Sequence, residues 1–167
     1  MLKRKKTGSL IVISGPSGSG KGTIIKELLK KNNDLSLSVS MTSRAKRDYE
    51  EDGREYFFVT KDCFENKIAS GELLEYTCYN GNYYGTLRSE VSKHLNNGES
   101  VILEIEIEGA LNIKKLVPEA IFIFILPPNM QTLLSRLKSR GTEDDNKIIS
   151  RFRTAYKEIN EITKYNY

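Results

Sequence analysis

LIVISGPSGSGKGT, residues 10–23, holds three pieces of local structure in succession. Leu10–Ser14 is a short apolar run with the length of a buried strand. Gly15-Pro16-Ser17-Gly18-Ser19-Gly20 cannot extend that strand and reads as a turn. From Lys21 to about Lys31, Ile24, Ile25, Leu28 and Leu29 recur on one stripe of a helix. A strand, a glycine loop and a helix in this order begin an α/β domain with a parallel sheet. Residues 15–21 also fit the Walker A pattern, GxxxxGK followed by Ser or Thr. Its glycines let the backbone close around phosphates with N–H groups inward, and the helix adds donors and the positive end of its dipole. Lys21 would reach the β- and γ-phosphates of a nucleotide. Gly22 stands where the pattern has Ser or Thr, and Thr23 comes next. The hydroxyl that usually ligates Mg²⁺ is therefore displaced by one residue or absent.

Working outward, 167 residues set an expectation of one domain with a substantial core. With 38% apolar and 29% charged residues, neither disorder nor a membrane class is indicated. The net charge is +4, and Lys3, Arg4, Lys5 and Lys6 form a basic tail read as a solvated extension. With that tail set aside the 26 bases fall to 22, equal to the 22 acids, which does not favour a nucleic-acid surface. The apolar run Leu10–Ile13 is too short for a signal peptide, and no segment approaches the roughly 18 apolar residues of a membrane span. Cys63 and Cys78 have no metal-binding or redox spacing, which points to a reduced, cytoplasmic setting. His94 is the only histidine, so a multi-histidine metal site is excluded.

Along the chain, residues 37–41, 56–60, 73–79 and 82–85 read as short aromatic-rich strands, with a helix over 62–69. Asn80-Gly81 is a hairpin turn signal. A helix over 88–96, a strand over 100–107 and a buried strand over 121–126 return to the α/β rhythm. Met130, Leu133, Leu134 and Leu137 mark another helix. Ile148, Phe152, Ala155, Ile159 and Ile162 mark a long final one.

Arg44 and Arg47 lie three apart in SMTSRAKR (40–47), a spacing fit to grip one phosphate; the same residues also read as a solvated basic loop. Glu104, Glu106 and Glu108 alternate with Leu103, Ile105 and Ile107, the pattern of a half-buried strand with an acidic outer face. Tyrosines such as Tyr56 and Tyr84 in strands most often pack.

In combination these motifs resemble the guanylate kinase family. The resemblance rests on GPSGSGKGT (15–23), SVSMTSRAKR (38–47), GREYFFV (53–59), Glu75 with GNYYG (81–85), LEIEIEGA (103–110) and RGTE (140–143). It runs from about Ser9 to Tyr167. It implies an α/β fold: a P-loop NTPase-type parallel sheet flanked by helices, with an inserted mixed α+β GMP-binding region and a mobile lid. The core would be about 8–36, 88–138 and 148–167, the insertion about 37–87 and the lid about 139–147. The implied reaction is ATP-dependent phosphorylation of GMP to GDP.

The resemblance assigns ATP to Gly15, Pro16, Ser17, Gly18, Ser19, Gly20, Lys21, Gly22 and Thr23. Arg44, Arg47, Tyr56 and Tyr84 would hold the GMP phosphate, and Ser40 and Thr86 would donate to guanine O6. Glu75 and Glu106 would accept from guanine N1–H and N2–H₂; adenine, lacking those donors, would leave them unpaired. The family usually carries Asp at positions 104 and 106 and Gln at 108, so Glu75 is expected to be the stronger base reader. Lys46 replaces a proline common between the paired arginines. Mg²⁺ would be held through the ATP phosphates, with Thr23 or Glu104 as its protein ligand. Lys21, Arg44, Arg136, Arg140 and Arg151 would be the catalytic cations, Arg140 and Arg151 closing over ATP with the lid. The acceptor phosphate is already anionic, so no general base is required.

ATP and GMP are thus the expected partners, with no nucleic acid, membrane or obligatory protein partner. Two other readings are a P-loop kinase for another phosphorylated acceptor and a non-catalytic module that binds phosphorylated partners; the retained Lys21 and arginines argue against the second. The family normally continues past Tyr165-Asn166-Tyr167 with a strand and a closing helix. The resemblance therefore implies that both are missing, leaving a sheet edge unpaired.

Overall fold

The computed structural model describes residues 8–79, 81–139 and 145–167. Elements are numbered in chain order. Strand β1 (Leu10–Ser14) lies between β7 (Ser100–Glu104) and β8 (Ile121–Phe124), and β2 (Leu35–Leu37) lies outside β7. All pair in parallel, in the order β2-β7-β1-β8. Strand pleating sends Val12 of β1 to one face with Val101, Leu103, Ile113 and Phe122. It sends Ile13 to the other face with Ile25 and Ile102. A sheet covered on both faces needs continuous apolar strands, and LIVIS and IFIF meet that need.

A second sheet is built entirely from residues 40–87. Its order is β4 (Tyr56–Phe58), β3 (Ser40–Thr42), β6 (Asn82–Leu87) and β5 (Leu73–Tyr79). Strands β3 and β4 are parallel, while β5 and β6 form an antiparallel hairpin. Helix α2 (Lys61–Ala69), capped by the Thr60 hydroxyl accepting from the Cys63 N–H, drops Phe64 onto this sheet. Phe64 is 0% exposed and stacks on Tyr83 with ring centroids 5.2 Å apart.

Helices α1 (Lys21–Lys31), α3 (Arg88–Asn96) and α5 (Met130–Ser139) form where the apolar periodicity places them. The structure departs from the sequence reading elsewhere. The strand expected over 37–41 is two strands in different sheets. The Ser38 N–H still donates to Ile102 O of the first sheet, and Ser40 already pairs with Tyr56 in the second. The strand expected over 100–107 stops at Glu104, and Ile107–Leu116 is a helix, α4. Ile107, Ala110 and Ile113 recur three apart and bury against the sheet, so helical packing overrides the alternation of acids and isoleucines. Helix α6 (Asp145–Ile159) ends before Ile162, which begins a short 3₁₀ turn.

The outer edge of β8 is not bare, contrary to expectation. The Phe124 N–H donates to Tyr167 O, and the Asn166 N–H donates to Phe122 O. The Asn166 side chain accepts from the Phe122 N–H. Tyr165 packs edge-on against Phe122 and Phe124.

Phe64→Ala is expected to cost about 3–5 kcal/mol in urea denaturation, because it empties the fully buried side chain by which α2 packs on its sheet. Ile24→Ala, at a helix position 41% exposed, should cost less than about 1 kcal/mol. Equal losses for the two would refute this placement of the second core.

Candidate active site

The carboxyl ends of β1, β7 and β8 meet at Ser14, which is completely buried. Its hydroxyl donates to Ile105 O at 2.8 Å, and its carbonyl accepts from the Ile125 N–H at 2.8 Å. Ligands in parallel α/β sheets bind beyond these strand ends. At Gly15 the backbone has φ +148° and passes so close to β8 that a Cβ would lie 2.3 Å from Ile125 O. Gly20 is the N-cap of α1 at φ +104°, with no side chain to cap the helix. The first turn of α1 therefore opens into the cleft with its dipole uncapped.

Two cations brace the loop through its carbonyls. Lys21 Nζ donates to Gly15 O at 2.6 Å and Pro16 O at 3.3 Å. Arg136 of α5 donates through Nη1 to Gly18 O at 3.1 Å and Ser19 O at 3.0 Å. In front of the loop lies a cleft of about 530 Å³, whose walls include Thr23, Glu104, Glu106, Arg151 and Glu158. Pro16 and Ser19 stand behind it, and Gly15, Ser17, Gly18, Gly20, Lys21 and Gly22 form its floor.

A second cleft of about 250 Å³ opens over the second sheet and shares Ser40, Tyr56, Glu104, Glu106 and Arg151 with the first. Arg44, Arg47, Glu75 and Tyr84 line it. Arg44 lies over the rings of Tyr56 and Phe58, 5.6 Å from each centroid. Tyr56 and Tyr84 pack edge to face at 6.0 Å. Burial, with Tyr84 and Glu104 nearby, holds the Tyr56 hydroxyl protonated above its ordinary range. Strand alternation turns the neighbouring Tyr83 to the opposite face, onto Phe64.

Glu75 of β5 is 6% exposed and has its carboxyl pushed up to about 7 by burial, partly offset by the Thr86 hydroxyl. That hydroxyl donates to Glu75 Oε1 at 2.8 Å. Thr86, expected to donate to the base, thus points at Glu75 and is absent from the lining of either cleft. Helix α4 crosses Glu75 so closely that a Cβ on Gly109 would lie 2.5 Å from Glu75 Oε2.

Glu104 ends β7 and Glu106 is the N-cap of α4, so the turn between them aims both into the shared wall. Desolvation raises both carboxyls, and Lys21 partly offsets it. Glu158 of α6 is raised to about 7, first by burial and then by Glu106, again against Lys21. Glu108 is exposed and lines neither cleft. Arg140 and RGTE (140–143) lie outside the described residues.

Three participants escaped the sequence reading. Glu50 sits in an acidic run, Asp48 to Asp52, that looks like a solvated face, yet it is buried against Arg44. Its spacing of three from Arg47 and six from Arg44 was the available signal. Glu158 follows Arg151 by seven, two helical turns on one face. Gly109 is a glycine inside a helix, a position that asks for a packing reason.

Among the described residues no group of three or more His, Cys, Asp or Glu could hold a metal by itself. Thr23 and Glu104 are among the side-chain oxygen donors that line the first cleft. No described helix is long and apolar enough to cross a membrane. The arrangement can seat two phosphate-bearing ligands end to end: one on the glycine loop, one on the paired arginines, meeting beside Glu104 and Arg151.

Known proteins are similar to this chain over nearly its whole length. The family model described as guanylate kinase matches residues 7–167. A guanylate kinase of Caldanaerobacter subterraneus is 52% identical over 98% of this chain and 79% of its own length. That of Clostridium tetani is 54% identical over 96% of this chain and 76% of its own length. The crystal structure of guanylate kinase from Anaplasma phagocytophilum superposes with a TM-score of 0.75 at 29% identity, covering 98% of this chain and 76% of that one. With a glycine loop and an arginine pair facing each other across one wall, and with these relatives, the chain belongs to the guanylate kinase family.

Proposed function

We propose that the chain transfers the γ-phosphoryl group of ATP to the phosphate of GMP, giving ADP and GDP. The observation that carries this reading is the shared wall between the two clefts, which brings a donor on the glycine loop to an acceptor on Arg44 and Arg47. Two polyanions repel, so the main catalytic task is charge neutralisation and alignment. In this proposal Gly15–Thr23 bind ATP, Lys21 turns toward the transferring phosphates, and Arg136 keeps the loop folded. Arg151 faces both clefts and serves the phosphoryl group in flight; the family resemblance assigns Arg140, which lies outside the described residues, the same task.

Arg44, Arg47, Tyr56 and Tyr84 hold the acceptor phosphate, and Glu75 and Glu106 read the guanine N1–H and N2–H₂ with Ser40 at O6. Thr86 acts through Glu75, holding Oε1 so that the carboxylate faces the base. Mg²⁺ bound with ATP would neutralise its phosphate oxygens, with Thr23 or Glu104 as protein ligand. Residues 37–87 form the acceptor-binding insertion in this reading, and the unpaired Cys63 and Cys78 fit a cytoplasmic setting.

A coupled ADP-release assay across GMP, AMP, CMP and UMP should give turnover with GMP far above the rest, abolished by chelating Mg²⁺. No GMP-dependent turnover, or a preference for AMP, would sink the reading. The base reader should also titrate. Ionised Glu75 is acceptor-only toward the guanine N–H groups, whereas protonation removes its charge and sets a donor hydrogen on one oxygen; its carboxyl is raised to about 7, so GMP affinity falls as pH drops through that value. KM for GMP should rise about tenfold from pH 8 to pH 6 beyond any rise seen in Glu75→Gln, which shares the ionisation of the GMP phosphate. Parallel profiles for wild type and variant would exclude Glu75 from base reading. Finally, Gly109→Ala puts a methyl where Glu75 Oε2 lies, and the flexible carboxylate is what yields. KM for GMP should rise about tenfold with KM for ATP unchanged and no loss of melting temperature, since alanine favours the helix. An unchanged KM for GMP would show that Glu75 needs no such contact.

A further inference from the structure

We infer that Glu50 is the positioning residue of the acceptor-phosphate clamp: one buried carboxylate sets both arginines in place. The inference rests on the reading of Arg44 and Arg47 as that clamp. Within the acidic run, Asp48, Glu51 and Asp52 are exposed and Glu50 is 4% exposed. A carboxylate on the floor of an anion site repels the ligand and is costly to desolvate, so it persists only where its partners are fixed and complete. They are. Arg44 meets it as a fork, Nη1 to Oε2 at 3.0 Å and Nη2 to Oε1 at 2.8 Å. The Arg47 backbone N–H donates to Oε2 at 2.8 Å, and the Glu50 N–H donates back to Arg47 O at 3.0 Å. The Arg47 guanidinium stands 3.8 Å from Oε1.

The remaining contacts of Arg44 complete the restraint. Nη1 also donates to Ala45 O at 2.7 Å, and the guanidinium plane rests on Tyr56 and Phe58. The side chain also interacts with Tyr84, and the edge formed by the Nε–H and the second Nη2–H is the one turned away from Glu50 and toward an incoming phosphate. Glu50 thereby chooses which edge of Arg44 is presented, and it ties the backbone turn that carries Arg47. It also moderates the repulsion between two guanidinium groups held side by side. The pair's mutual stabilisation appears as a raised Arg44 and a lowered Glu50, each first through the hydrogen bonds between them.

The test is a double-mutant cycle on the full chain, with KM for GMP, KM for ATP, kcat and melting temperature measured for Glu50→Gln, Arg44→Met and the pair. Glu50→Gln should raise KM for GMP by at least about tenfold and leave KM for ATP within about twofold. In the Arg44→Met background the same change should add less than about twofold, because the group it positions is gone. Glu50→Asp keeps the charge and withdraws it by one methylene; it should raise KM for GMP with the melting temperature held, which keeps the test open if Glu50→Gln fails to fold. The inference is overturned if Glu50→Gln or Glu50→Asp folds and leaves KM for GMP unchanged while Arg44→Met raises it. Multiplicative effects of the two changes overturn it as well, since Glu50 would then act independently of Arg44. If Arg44→Met itself leaves KM for GMP unchanged, the clamp reading falls and this inference with it.

Discussion

The three bonds at Ser14 hold the site in register. Its carbonyl accepts from Ile125, its hydroxyl reaches Ile105 O, and the Ile105 N–H donates to Ile13 O one residue earlier. Strands β7 and β8 are thereby locked to β1 at the point where the chain leaves the sheet to form the glycine loop. Glu104 and Glu106 cannot shift relative to Lys21 without breaking these bonds, and Ser14 itself is completely buried. The loop, the shared wall and the first turn of α1 inherit their positions from this junction.

Around it the molecule gathers charges that a core would reject. Glu75, Glu104, Glu106 and Glu158 all have their carboxyls raised by desolvation, and the cations Lys21, Arg44, Arg136 and Arg151 stand among them. The two sets serve different parts of two nucleotides in the proposed reaction. Carboxylates complement N–H groups of a base, and cations complement phosphates. Departures from ordinary burial rules concentrate here, as expected where function rather than stability selects the residues.

Legibility in the sequence followed the reach of the forces involved. Strand β1, its loop and α1 were readable because glycine conformation and apolar spacing are local. The hairpin β5–β6 and helix α3 were readable for the same reason. Helix α4 was not, since ILEIEIEGA alternates like a strand, and only burial of Ile107, Ala110 and Ile113 against a sheet formed elsewhere makes it helical. The crossing between sheets at Ser38 was hidden because both flanking segments are strands. In the site, Arg44, Arg47 and Tyr84 carry recognisable spacing, whereas Glu50 resembles its solvated neighbours until Arg44 folds onto it. The resemblance gave Thr86 as a donor to guanine O6 and not to Glu75, because a hydroxyl's direction depends on what surrounds it.

The strand order has a consequence for the time course of folding. β1 is the first strand in the chain, yet both of its neighbours, β7 and β8, come from residues 100–124. Closing that long loop costs entropy before any ladder bond is made, so the central sheet is a late, non-local event. The second sheet lies wholly inside the loop, and its hairpin pairs residues no more than 14 positions apart. During synthesis the acceptor-side sheet can therefore assemble while β1 and the glycine loop still wait for partners. Once folded, the segment between them is compact, which shortens the gap that the strands of the central sheet must close.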